Sequence, residues 1–239
     1  MKIKILTVMM CLFASITMEA QIINNLINGA NTIINGSGQS LSNDEVVKGL
    51  KEALTVGSNN SSTNASKTDG FFKNTAIKIP FPPDAKKMES ELRKIGMGKD
   101  CDKFILTINR AAEEAAKESA PIFVNAVKSM SITDGISILK GSDDAATAFL
   151  KSKTSADLKT KFKPVVSKAI QKVELTKYWN PLAKAYNRMP FVQKVNPDLE
   201  EYTTQKALDG LFKLLAQEEL KIRKDPLARV SDILKKVFG

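Results

Sequence analysis

The chain of 239 residues contains no histidine. That absence removes Ser-His-Asp and Cys-His nucleophilic catalysis, His-ligated zinc and the Glu-x-x-His ligand set of di-iron helical bundles. Cysteine is almost missing as well: Cys11 and Cys101 are the only two. Structural zinc and iron–sulfur clusters, which need several thiolates, are excluded with it. A phosphate-cradling loop is also lacking, because Gly96-Met97-Gly98 has no third glycine and follows a helical pattern instead of a strand. Aromatics are few, with a single Trp, and no basic run interleaved with them marks a nucleic-acid surface. Beyond the first twenty residues no apolar run reaches the length of about 20 that a membrane helix requires.

What is present begins with a leader. Lys2 and Lys4 form a positive start, Ile5–Ile16 is apolar, and Met18-Glu19-Ala20 offers a small residue before Gln21. This order predicts a secretory signal peptide over 1–20, cleaved after Ala20, and an exported, periplasmic protein. Cys11 lacks a small residue before it in Val8-Met9-Met10, so it reads as part of the apolar run and not as a lipid-attachment site. The mature chain then keeps Cys101 alone, which rules out an internal disulfide. Without a histidine to activate it, Cys101 reads as a packed thiol. A mature chain of about 219 residues can bury roughly 70% of its unfolded surface in one core without staples. It is expected not to span a membrane.

The formal charge is +10, and loss of Lys2, Lys4 and Glu19 with the leader leaves +9. A basic exported protein suits anionic surroundings: acidic lipid, lipopolysaccharide or a cell-wall polymer. Solubility alone is the plain competing account of the same charge. Export disfavours nucleic acid as a partner.

Most of the chain reads as helix. Gln21–Gln39 is an Asn-rich, glycine-interrupted segment that reads as a flexible tether up to residue 41. Ser42 and Glu45 then form a capping box, and Val46, Val47, Leu50 and Leu54 follow at helical spacing to about Val56. Residues 57–67 are poor in helix formers. Asp102–Lys117 is the clearest amphipathic helix, with Phe104, Ile105, Ile108, Ala111, Ala112 and Ala115 inward. Arg110, Glu113 and Glu114 are expected on its solvated face as a salt-bridge network. Further helices are predicted from Pro121, from Thr133 to Gly141, after a Ser142 cap, and over Ser155–Val173 with a kink or break at Pro164. One more ends near Arg188, one runs from an Asn196-Pro197-Asp198 start to about Lys224, and a last one follows Asp225-Pro226. No repeat period links them. The expected fold is all-α: a single irregular multi-helix bundle of about 8–10 helices over 42–239, with at most a small two-stranded β ribbon.

The longest stretch that breaks this pattern is Thr68–Gly98, TDGFFKNTAIKIPFPPDAKKMESELRKIGMG. It combines an Asp69-Gly70 turn, an alternating apolar run and three prolines within four residues. Together with TKYWNPLAKAYNRMPF (176–191), KALDGLF (206–212) and the run Asn109-Arg110-Ala111-Ala112-Glu113, it resembles the exported bacterial family catalogued as domain of unknown function 4197. The resemblance covers roughly Leu41 to Gly239. It implies that the first helix continues through 57–67, and it carries no established activity.

Two functional readings remain. One is a non-catalytic binding or scaffold module for an anionic envelope component or a protein partner. The other is a carboxylate-based hydrolase acting on cell-envelope glycans, with Asp69, Asp84, Glu113 and Asp209 as candidate acids. Glu113 oriented by Arg110 is the most specific pairing within that second reading. No metal ligands, cofactor or catalytic residues are assigned. For binding, two extended segments share a pattern, Ile79-Pro80-Phe81 and Met189-Pro190-Phe191. An unpaired extended backbone against a core is costly, so residues 76–80 and 191–195 are expected to pair as a short ribbon. That ribbon would gather Phe71, Phe72, Trp179 and Tyr186 with Lys78, Arg188 and Phe191 at one end of the bundle. Burial of the same aromatics as ordinary core is the simpler alternative.

Overall fold

The computed structural model describes residues 42–229 and residue 235. The expected signal peptide, the tether up to residue 41 and most of the helix expected after Pro226 lie outside the described residues. Ser42 opens α1 (Asn43–Ser66) with a full capping box, its hydroxyl accepting from Glu45 N–H and its own N–H donating to the Glu45 carboxylate. α1 continues through 57–66, as the resemblance implies and as residue propensity alone does not. Packing explains it. Gly57, Ser58, Ser61, Ser62 and Ala65 form a narrow buried edge that lets neighbouring helices approach closely. Ser62 is tied across that contact to Ser119, with 2.7 Å between the hydroxyl oxygens.

Downstream lie α2 (Lys86–Lys94), α3 (Gly98–Ala116), α4 (Ser119–Lys128), α5 (Ile132–Leu139), α6 (Ala145–Lys172), α7 (Leu175–Asn187) and α8 (Leu199–Lys224). These eight α-helices, with short 3-10 turns at Pro83–Ala85 and Pro226–Ala228, make an all-α bundle, and no strand occurs among the described residues. The long helices α1, α3, α6 and α8 form the frame: α8 lies against α1, α3 and α6, and α3 also meets α6 and α7. Nearly all buried apolar side chains belong to one continuous core.

Several local starts differ from expectation. Ser131, not Thr133, caps α5 and forms a capping box with Asp134. Ser142 does not cap the following helix, which starts at Ala145 and runs as one unit to Lys172 with Pro164 inside it. The second and third N–H groups of α6, at Ala146 and Thr147, donate instead to the buried Glu219 carboxylate from α8, each at 2.9 Å. Arg223 neutralises that carboxylate at 2.8 Å. A tertiary acid thus does the work of a local cap, satisfying orphan donors and complementing the helix dipole. α8 itself is capped by Asp198 and not Asn196.

The ribbon between 76–80 and 191–195 does not form. The first segment is partly a turn, with Ile77 and Lys78 N–H both donating to the Asn74 carbonyl. In the second, Phe191 has φ of 62°, which is incompatible with a strand. Unpaired backbone is nonetheless satisfied, by asparagine side chains. The Asn109 carboxamide accepts from Ile79 N–H and donates to Ile79 C=O, both at 2.8 Å. Asn187 does the same for Val195, both at 3.0 Å. Each amide imitates the edge of a neighbouring strand.

Candidate functional site

The polar residues of the Asn109–Glu113 run all serve the non-helical stretch that precedes α2. Asn109 holds Ile79. Glu113, only 4% exposed, accepts the N–H groups of Phe71 and Phe72, both at 3.1 Å. Arg110 bridges Glu113 to Asp69, reaching Asp69 at 2.6 Å, and Asp69 also pairs with Lys73 at 2.8 Å. The expected solvated salt-bridge face is therefore corrected at Glu113. Its carboxylate is buried because two backbone donors and one guanidinium replace water around it.

That arrangement also brings together two of the four candidate acids, Asp69 and Glu113, on one guanidinium. Lys73, with Arg110 second, holds the Asp69 carboxyl below the usual carboxylate range. The geometry is that of an ion-pair clamp, since a glycosidase needs one of its two acids protonated and both facing a cleft. Asp84 is exposed within the 3-10 turn Pro83–Ala85, and Asp209 lies on α8. Among the described residues no three acids or cysteines are grouped to hold a metal ion.

Phe71 is packed fully into the core beneath Gly210, the glycine of the KALDGLF run. A Cβ at position 210 would lie 2.7 Å from Phe71 Cε1 and 3.3 Å from Ile77 Cβ, so only glycine allows this approach. Trp179 is core as well, its ring 5.0 Å from Phe104 and 6.2 Å from Phe81, and Tyr186 is buried. Phe72 is half-buried, with Lys78 Nζ 4.3 Å above its ring and the Arg110 guanidinium 5.8 Å away. Arg188 and Phe191 are exposed in the turn after α7. The structure thus joins Phe72 to Lys78 and sends the buried aromatics to the core.

Lys78 lines an open groove of about 280 Å³ between residues 76–86 and α8. Ile77 and Phe81 contribute apolar floor. Lys78, Lys86, Lys206 and Lys213 bring four cations, and Asp209 brings the single acid. Tyr202 fixes the wall: its hydroxyl reaches the Pro80 and Phe81 carbonyls at 3.1 and 3.3 Å. Burial raises this phenol's pKa to about 12, which keeps it a hydrogen-bond donor. Lys86, Tyr202, Lys206 and Lys213 were missed by sequence reasoning. A signal existed, because Tyr202, Lys206, Asp209 and Lys213 recur at helical spacing beside the buried stripe of α8.

Cys101 is buried, and burial raises its pKa and so favours the neutral thiol. No helix among the described residues is long and apolar enough to cross a membrane. No curated protein and no solved structure matches the chain. The model of a protein family of unknown function, DUF4197, matches residues 40–239. The clamp, the Gly210 contact and the aromatic core all fall inside that match, and the chain belongs to this family.

Proposed function

We propose that the protein is a non-catalytic binding module that takes up an anionic component of the cell envelope in the groove between residues 76–86 and α8. The observation that carries this reading is the imbalance of charge around an open, partly apolar cleft: four lysines against one aspartate. Flexible ammonium groups over an apolar floor suit a ligand with phosphate or carboxylate groups on an apolar or sugar backbone. The clamp on α3 fixes residues 68–82, and so holds one wall of the groove rigid before the ligand arrives, which lowers the cost of binding. Export belongs to the same proposal and rests on the charged, apolar, small order of residues 1–20.

The hydrolase reading is weaker on the same grounds, since Asp69 and Glu113 are already satisfied by Arg110, Lys73 and backbone donors. Native mass spectrometry of protein purified from the periplasm of its own host tests the proposal. A retained lipid or glycan bearing acidic groups is expected, and its loss from a Lys78→Glu/Lys206→Glu variant places it in the groove. Protein that carries no such molecule, or carries it equally in the variant, overturns the reading.

A further inference from the structure

Phe191 combines two unfavourable features. The residue is fully exposed, and its backbone occupies the left-handed region at φ of 62°, where a bulky L-residue is strained. The turn that presents it is firmly built. Asn187 and Val195 close the base through the paired carboxamide contact, and Met189 N–H donates to the Tyr186 carbonyl at 2.9 Å. Tyr186 and Val195 are buried beneath it. The loop therefore holds a phenyl ring out in water by construction, next to exposed Pro190 and half-buried Met189 and Val192.

Charge says what covers it. From Leu175 to Pro197 the sequence contains no Asp or Glu, while Lys177, Lys184, Arg188 and Lys194 supply only positive charge. Lys184, Arg188 and Lys194 are exposed. A second copy of the chain meeting this loop symmetrically would set those cations against each other. An apolar tip flanked along the chain by exposed Arg188 and Lys194 matches the boundary between acyl chains and anionic headgroups.

We propose that residues 188–194 seat the protein on an anionic bilayer surface. Phe191 enters the headgroup–acyl boundary, and Arg188 and Lys194 lie on lipid phosphates. This site is separate from the lysine groove and does not rest on it.

The test uses the mature chain with vesicles of phosphatidylcholine containing or lacking phosphatidylglycerol. Phe191→Gly is the informative variant, because glycine accepts a φ of 62° without strain. It is expected to raise the melting temperature while weakening partition onto phosphatidylglycerol vesicles about tenfold, the loss of one inserted aromatic ring. Arg188→Glu/Lys194→Glu is expected to weaken partition at 0.1 M salt, with the difference fading at 1 M. A Phe191→Cys chain labelled with an environment-sensitive dye should shift to the blue and be quenched by brominated lipid. Unchanged partition of Phe191→Gly overturns the proposal. So does a lipid-free oligomer that Phe191→Gly dissociates, since a second copy would then be what covers the ring. Failure here leaves groove binding of soluble anions untouched, so the two proposals fail separately.

Discussion

Asn109 and Ile79 are joined at two points: one carboxamide accepts the N–H and donates to the C=O of the same buried residue, each at 2.8 Å. The same Asn109 nitrogen also donates to the Ile105 carbonyl at 2.7 Å, within its own helix. Asn109→Ala leaves two buried backbone groups of Ile79 unpaired and is expected to cost about 2–4 kcal/mol. Asn109→Asp is expected to be worse, because it removes the donor and sets a negative oxygen against two carbonyls. Chemical denaturation of the three proteins checks this order.

Gly210 and Phe71 form another point where the non-helical stretch is locked to the bundle. Gly210→Ala forces the Phe71 ring edge to move and is expected to cost about 1–3 kcal/mol. Phe71→Leu in the same chain should recover part of that loss, since the shorter side chain vacates the contact. Equal stability of Gly210→Ala and the parent protein would contradict the packing described.

Ser58 and Ser61 carry buried hydroxyls without a hydrogen-bond partner among the described residues. Alanine at either position removes an unsatisfied polar atom and improves helix propensity. Each substitution is expected to raise stability by about 0.5–1 kcal/mol. A loss of stability in both variants would show that the hydroxyls are paired.

Acid should unfold the protein through a few identifiable carboxylates. Asp69 is held below its ordinary range by Lys73 and then Arg110, Glu114 by Lys117 and then Lys172, and Asp134 by Ser131. Each binds its proton less readily when folded than when unfolded. Their stabilisation is therefore present above the ordinary carboxylate range of about 4 and is lost as pH falls below it. Melting temperature should be level from pH 7 to about 5 and then drop, with a shallower drop in Asp69→Asn. High salt should reduce the contributions of Asp69 and Glu114 more than that of Asp134, whose partners are hydroxyl and N–H groups.

The helical frame was legible because it depends on local pattern: the Ser42–Glu45 box, the Phe104–Ala115 stripe and the Asp198 region all mark elements near their observed bounds. The ribbon was not, although the physical problem behind it was read correctly. Ile79 and Val195 do need partners, but a single asparagine at the right place on a helix substitutes for a strand, and spacing does not reveal which asparagine. Glu219 illustrates the same limit. It sits 73 residues from the N–H group it caps, so no local signal at Ser142 could compete with it. Trp179 and Tyr186 stand out in the sequence as a recognition cluster because aromatics are scarce, yet both are buried and help fill the core of the bundle. The lysine groove is assembled from two segments more than a hundred residues apart, and only its α8 half has a periodic trace.

Binding of an anionic envelope component in that groove is the central claim, and one titration tests it most directly. Lipopolysaccharide is titrated into the protein from Gln21 onward at 0.1 M and 1 M salt. The parent chain is compared with Lys78→Glu/Lys213→Glu and with the control Lys48→Glu/Lys99→Glu, whose reversed charges are exposed elsewhere. The screening length falls from about 10 Å to about 3 Å over that range, so binding should weaken steeply with salt. At 0.1 M the groove variant should lose at least about tenfold in affinity, given about 1 kcal/mol per lysine at an anionic surface, and the control much less. Equal losses in the two variants, or no binding at either salt, would contradict the account.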